Sequence, residues 1–244
     1  MKKSILIFIL LISTSILVVI YSPINFWFSE KIWAHRIDSK ELLNDVEDKF
    51  SGLELDVVFI DSLNRFDVNH PPAKSINLSL HDYFSASKNK AKLGYWLDFK
   101  NLNKSNQEQA LQKLLQICDD LKLNKEHIIV ESEKVELLQK FAEKSFKTSY
   151  YLHWPGLYTL NKEQLDNKIS EIRSNLARIS FTPFLSSDYN DYEILSIEFP
   201  KQRKLLWCTD LKNNAKQKWN IYRILKDDQV KVLLIKSESK IEER

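Results

Sequence analysis

Glycine is nearly absent from this chain: three residues in 244, at Gly52, Gly94 and Gly156. Phosphate loops and dinucleotide fingerprints need clustered glycines so that backbone amides can approach a phosphate, and this chain has no such cluster. Cysteine is almost as scarce. Cys118 and Cys208 have no CxxC spacing, which argues against a disulfide framework or a structural zinc site. Cys118 reads as a helix residue and Cys208 as a strand end, so a pairing between them is not expected. An excess of one charge is also missing: 36 basic residues face 33 acidic ones, and setting aside Lys2 and Lys3 leaves 34 against 33. Such a balance gives no support for a nucleic-acid partner.

One long hydrophobic run is present. Lys2 and Lys3 precede the uncharged stretch from Ile5 to Tyr21, close to the length that crosses a bilayer at about 1.5 Å per residue. The sequence that follows, Ser22-Pro23-Ile24-Asn25-Phe26, offers no small-x-small cleavage pattern. Residues 1–28 therefore read as a single-pass anchor, with secretion after signal cleavage as the alternative. The two lysines place the amino end in the cytoplasm and the rest on the extracytoplasmic side. The remainder reads as one domain, residues 29–237, with a polar tail at 238–244. Nothing in the sequence speaks to oligomeric state.

Within that domain short apolar runs alternate with amphipathic stretches. Strands are predicted at Ile32–His35, Leu53–Ile60, Leu93–Phe99, His127–Val130, Ser149–Leu152, Arg178–Phe181, Lys204–Cys208 and Val230–Ile235. Helices are predicted at Ser39–Phe50, Asn106–Leu121, Glu133–Glu143, Lys162–Leu176 and Asn213–Leu225. Eight strand-then-helix units with right-handed crossovers close most naturally into a (β/α)₈ TIM barrel, with an open doubly wound sheet as the alternative.

Reactive groups of such a barrel gather at the carboxyl ends of the strands. His35 ends the first strand. On the second, Glu54 and Asp56 point the same way in an otherwise apolar run, and two carboxylates facing one interior require a cation. Either a metal or the side chains of Lys100 and Arg36 could supply it. His70 follows a short return segment, and Trp96, Asp98 and Lys100 share the third strand's inner face. Glu131, Trp154 and Trp207 end later strands and are candidate pocket residues. His81, His127 and His153 read as structural, and Trp96 as packing.

His35-Arg36, then Glu54-x-Asp56, then His70 resemble the glycerophosphodiester phosphodiesterase superfamily. Leu97-Asp98-Phe99-Lys100 looks like its third-strand carboxylate-x-lysine element, and Leu206-Trp207-Cys208-Thr209-Asp210 like its tryptophan-bearing seventh strand. The third-strand aspartate is closer to sphingomyelinase D-like enzymes, and His70-Pro71-Pro72 is similar to the menorin family on the same barrel. Ile37 stands where that superfamily usually has glycine, and Pro71 where it usually has aspartate. The resemblance implies cleavage of a glycerophosphodiester or lipid-derived phosphodiester, with Glu54, Asp56 and Asp98 holding one divalent cation, Mg²⁺ or Ca²⁺. It further implies that His35 and His70 act as general acid and base, and that Arg36 and Lys100 meet the phosphate. The competing reading is a membrane-tethered barrel that binds a phospholipid headgroup or a protein without turning it over.

Overall fold

The computed structural model describes residues 27–212 and 214–237. The anchor expected over residues 1–28 and the tail at 238–244 thus fall almost wholly outside the described residues. Among the described residues no helix is long and apolar enough to cross a membrane.

Eight parallel strands close into a barrel: β1 (Ile32–His35), β2 (Gly52–Ile60), β4 (Gly94–Phe99), β5 (Ile128–Ser132), β6 (Lys147–Tyr151), β7 (Phe184–Asp188), β8 (Lys204–Cys208) and β9 (Val230–Lys236). Closure comes from β1, which pairs with β9 on one side and with β2 on the other. The remaining strand, β3 (Arg65–Val68), runs antiparallel on the outer part of β2 and makes a single further bridge, from Asp67 to Ser79. It is the short return segment that carries the chain to His70.

Helices on the outside separate the strands: α1 (Lys40–Val46), α2 (Leu80–Ala86), α3 (Gln107–Leu121), α4 (Gln139–Glu143), α5 (Lys162–Ala177), α6 (Tyr192–Glu198) and α7 (Ala215–Leu225). The longer ones cover the sheet with an apolar stripe, whereas α4 and α6 bury one side chain each, Phe141 and Leu195. On α3 the buried set is Ala110, Leu111, Leu114, Ile117 and Cys118, and on α7 it is Ile221, Ile224 and Leu225. The start of α1 is fixed by Ser39, whose hydroxyl accepts from the Leu42 amide, and α5 begins with a reciprocal capping box between Asn161 and Gln164. α1 stops at Val46 rather than Phe50, and the stretch expected as one helix at 133–143 is a 3₁₀ turn, Val135–Leu138, running into α4. Cys118 and Cys208 are free, buried thiols on α3 and β8.

One strand was misplaced by sequence reasoning. The alternating Arg178-Ile179-Ser180-Phe181 segment is irregular, and the strand is Phe184–Asp188, directly after Pro183. Ser186 and Ser187 give it a turn-like composition, yet neither is solvent-exposed. Ser186 is paired in register with Tyr151 inside the barrel, while the Ser187 hydroxyl donates to the buried Asp191 carboxylate outside it.

The interior is filled from the floor upward by Trp33, Ile129, Phe184, Leu205, Val232 and Leu234. Trp33 explains two of the three glycines. Gly52 and Gly94 are register partners on β2 and β4, and a Cβ on either would lie 2.2–2.4 Å from the nearest atoms of the Trp33 indole. The ring occupies space that only glycine leaves open.

Candidate active site

At the carboxyl ends of the strands a polar layer replaces the apolar filling. Asp56, Asp98, Glu131 and Ser149 are successive register partners across β2, β4, β5 and β6, so their side chains project into the barrel at one level. Glu54 and Trp96 form the level beneath. Above them opens a cavity of about 440 Å³, and every residue singled out from the sequence lines it: His35, Arg36, Glu54, Asp56, His70, Asp98, Lys100, Glu131, Trp154 and Trp207.

Local structure explains how the side chains arrive there. Arg36 adopts a left-handed backbone (φ 58°), which turns the chain sharply off the end of β1. Its amide donates to Glu54 Oε2 at 2.7 Å, and the next amide, of Ile37, donates to the Glu54 carbonyl at 2.8 Å. The turn is thus made one residue before Ile37, whose side chain is buried in the core. Position 37 needs no glycine. On the other side the β2–β3 hairpin is tied by the Asn69 amide donating to the Asp56 carbonyl at 3.0 Å, which holds His70 at the rim. Lys100 lies just beyond β4 rather than on it, and folds back: its ammonium donates to Asp98 Oδ2 at 2.5 Å and meets Asp56 Oδ1 at 2.7 Å.

Glu54, Asp56 and Asp98 each offer an oxygen within 4.8 Å of the other two. Three carboxylates at that spacing, with no sulfur or imidazole donor in the set, fit a hard divalent cation such as Mg²⁺ or Ca²⁺. Lys100 and Arg36, whose Nε lies 3.7 Å from Asp56 Oδ2, balance only part of the negative charge. The titration of the cluster reflects this. Burial, then the neighbouring Asp56, Asp38 and Asp98, holds the Glu54 carboxyl well above its usual range. Burial pushes Asp98 up to about 6 despite the opposing Lys100 ammonium. Burial, with Asp98 adding to it, pushes Glu131 up to about 8. Burial alone would lower Lys100, but the carboxylates of Asp98 and Asp56 outweigh it and raise it.

Sequence reasoning missed Asp38. Its Oδ1 accepts from the Asp56 amide at 2.8 Å, its Oδ2 lies 3.8 Å from Arg36 Nε, and burial followed by the Asp56 charge raises its carboxyl well above the ordinary value. Placed immediately before the helix-capping Ser39, it had the look of an ordinary helix-start acid. Glu131, a candidate pocket residue, is buried, and Ser149 Oγ donates to its Oε2 at 2.6 Å. Trp96, expected as packing, and Trp207, expected at the pocket, both pack inside the barrel and line the cavity, and among the described residues neither buried indole N–H has an acceptor. Tyr151, also missed, stacks on Trp207 at 5.4 Å between ring centres. Trp154, 61 % exposed, stands at the mouth.

These shifts predict an inverted pH dependence of stability in the absence of a divalent cation. Asp98, Glu54 and Glu131 all have folded values above their ordinary ones of 3.8 and 4.5. The folded state therefore binds more protons, and the stability they contribute is lost as pH rises through the folded values. In chelator the melting temperature is expected to fall between about pH 5 and about pH 8.5, and Mg²⁺ or Ca²⁺ should restore more at the upper end. A melting temperature flat across that window, with no response to either ion, would refute the charge assignment.

No family model matches the sequence, and no curated protein matches it either. Solved structures do. A glycerophosphodiester phosphodiesterase from Parabacteroides distasonis superposes with a TM-score of 0.58 at 15 % identity, covering 85 % of this chain and 92 % of that one. An Oleispira antarctica phosphodiesterase, solved in complex with the product sn-glycerol-3-phosphate, superposes with a TM-score of 0.53 at 10 % identity, covering 86 % of this chain and 94 % of that one. The chain thus has the TIM-barrel fold of the glycerophosphodiester phosphodiesterases. At such identities the likeness is one of fold, and chemistry has to be argued from the site itself.

Proposed function

We propose that the protein is a divalent-cation-dependent phosphodiesterase acting on a glycerophosphodiester or a lipid-derived phosphodiester, tethered to a membrane by its amino-terminal run with the barrel on the extracytoplasmic side. The observation that carries this reading is the convergence, on one 440 Å³ cavity, of three carboxylates within 4.8 Å of each other, two histidines, an arginine and a lysine. A structural ion network has no use for two partly exposed histidines beside it.

Glu54, Asp56 and Asp98 would hold the cation, which would supply Lewis-acid charge toward a phosphodiester. Arg36 and Lys100 supply fixed positive charge beside it, which orients the phosphodiester and excludes neutral ligands of the same size. His70 is the general base. Burial lowers its pKa, the Arg36 and Lys100 charges lower it further against the pull of Asp56, and the imidazole is therefore neutral at pH 7 with a lone pair free to take a proton from a water or a substrate hydroxyl. His35 is the general acid: it lines the same cavity with its Nε2 3.7 Å from Glu54 Oε2, placed to protonate the departing oxygen. The indole N–H groups of Trp96 and Trp207 are donors for the polar oxygens of the alcohol portion. Attack by water gives an open phosphate; attack by a neighbouring hydroxyl gives a cyclic one.

Phosphorus NMR decides this. The full chain, offered glycerophosphodiesters, lysophospholipids and sphingomyelin with Mg²⁺, Ca²⁺ or chelator, is expected to produce a new phosphomonoester or cyclic phosphate resonance only where a divalent cation is present. Cation binding without turnover of any of them would favour the headgroup-binding barrel instead.

A further inference from the structure

The outer face of α7 carries an aromatic patch that the site does not use. Trp219 stacks on Tyr222 with ring centres 5.7 Å apart, Phe28 meets the same tyrosine edge-on at 5.5 Å, and Lys226 Nζ lies over its ring at 5.7 Å. Trp27 and Trp219 are 47 % and 46 % exposed, while Ile221, Ile224 and Leu225 on the opposite side of the helix are buried against the barrel. The patch is also where the described chain leads back toward the apolar run. Five residues, 22–26, separate Tyr21 from Trp27, and they reach at most about 20 Å when fully extended. A chain anchored through the run from Ile5 to Tyr21 therefore holds Trp27, and the part of α7 on which Phe28 packs, within about 20 Å of the bilayer.

We propose that the α7 flank, with Trp27, Phe28, Trp219, Tyr222 and Lys226, is a membrane-interface face whose partner is the headgroup layer of the bilayer. Half-exposed indole and phenol rings next to an ammonium group are the side chains that favour the boundary between water and hydrocarbon. The proposal rests on the reading of residues 5–21 as a membrane anchor. It fixes orientation as well as location. α7 runs from the mouth, where Thr209 after β8 lines the catalytic cavity, down to the floor before β9. With that helix on the membrane the barrel axis lies along the surface and the mouth opens beside it, within reach of a headgroup and without burying Trp154.

Tryptophan quenching tests this on the full chain, reconstituted into phosphatidylcholine vesicles with ordinary or dibrominated acyl chains. Bromine quenches only indoles at the interface, and six tryptophans are present. Bromolipid quenching is expected in the parent chain, to fall at least about threefold in Trp27→Phe/Trp219→Phe, to fall measurably in Trp219→Phe alone, and to persist in Trp154→Phe. Quenching that survives the double replacement or disappears with Trp154→Phe overturns the proposal, the latter because it puts the mouth on the bilayer. An unchanged signal in Trp219→Phe also overturns it, leaving the amino-terminal segment as the occupant of this face. Carbonate extraction separates the two readings. Protein that resists extraction but is quenched equally in the double variant keeps the anchor and loses the face; protein that is extracted, yet lost its quenching with the double replacement beforehand, keeps the face and loses the anchor.

Discussion

Asp56→Asn is expected to leave a folded protein that has lost divalent-cation affinity by at least about 10²-fold and turnover by about 10³-fold or more. Asp56 is the hinge of the charge cluster. One of its oxygens meets Lys100 Nζ at 2.7 Å, the other lies 3.7 Å from Arg36 Nε, and its carboxylate belongs to the three-oxygen set with Glu54 and Asp98. Asparagine keeps the shape, contributes one neutral oxygen in place of two charged ones, and presents an amide N–H₂ to the cation or to Lys100. The backbone stays in place, since Asp38 receives the residue's own amide and the Asn69 amide donates to its carbonyl. Lys100 retains Asp98, and Arg36 retains Asp38.

The same variant separates a metal site from a purely structural ion network. If the carboxylates exist only to pair with Lys100 and Arg36, removing one breaks a buried pair and destabilises the fold by about 3–5 kcal/mol whether or not a cation is present. If they exist to hold a cation, the loss of Asp56 relieves repulsion on Glu54 in chelator, and the deficit shows when Mg²⁺ or Ca²⁺ is added. Calorimetric titration beside denaturation in chelator reads both. A variant that still binds either ion with parent affinity would remove Asp56 from the site.

How much of this could be read from sequence follows from how far each feature depends on distant residues. The barrel was readable because seven of its eight strands carry β-branched or aromatic runs bounded by polar stretches. β7 was not, because its serines are buried by partners that its own sequence does not announce: Ser186 donates to the Tyr150 carbonyl, 36 residues back on β6, and Ser187 to the Asp191 carboxylate in the turn that follows. The glutamate and aspartate of β2 were readable because a strand's period of two puts them on one face whatever the fold. Lys100 was assigned to that cavity by the same period, although it reaches the carboxylates from the turn beyond β4. Asp38 escaped because its partner is a backbone amide on another strand, eighteen residues away. The burial of Glu131 was not readable, because only closure of the barrel places β5 beside Asp98 and β6 and so turns a strand-end acid into a buried one. The glycines at 52 and 94 had no explanation until Trp33 was seen lying against both.

Replacing His35 or His70 by alanine is expected to lower turnover by about 10²–10⁴ each, with cation affinity nearly unchanged. Neither imidazole belongs to the three-carboxylate set, so these variants separate proton transfer from cation binding, which Asp56→Asn cannot do. The two should also differ from one another. His70 is held below its ordinary value by burial, so as the base it remains competent on the acid side of neutrality, and the activity it supports falls only as pH drops through that lowered value. His70→Ala should erase this acid limb and be partly rescued by added imidazole. His35→Ala removes the group that protonates the leaving oxygen, so its defect should shrink with substrates whose leaving group is already a good one, such as a nitrophenyl phosphodiester, while His70→Ala stays equally impaired on them. Equal defects on alkyl and nitrophenyl esters in both variants would cancel the division of roles, and a variant retaining the parent rate would remove that histidine from the chemistry.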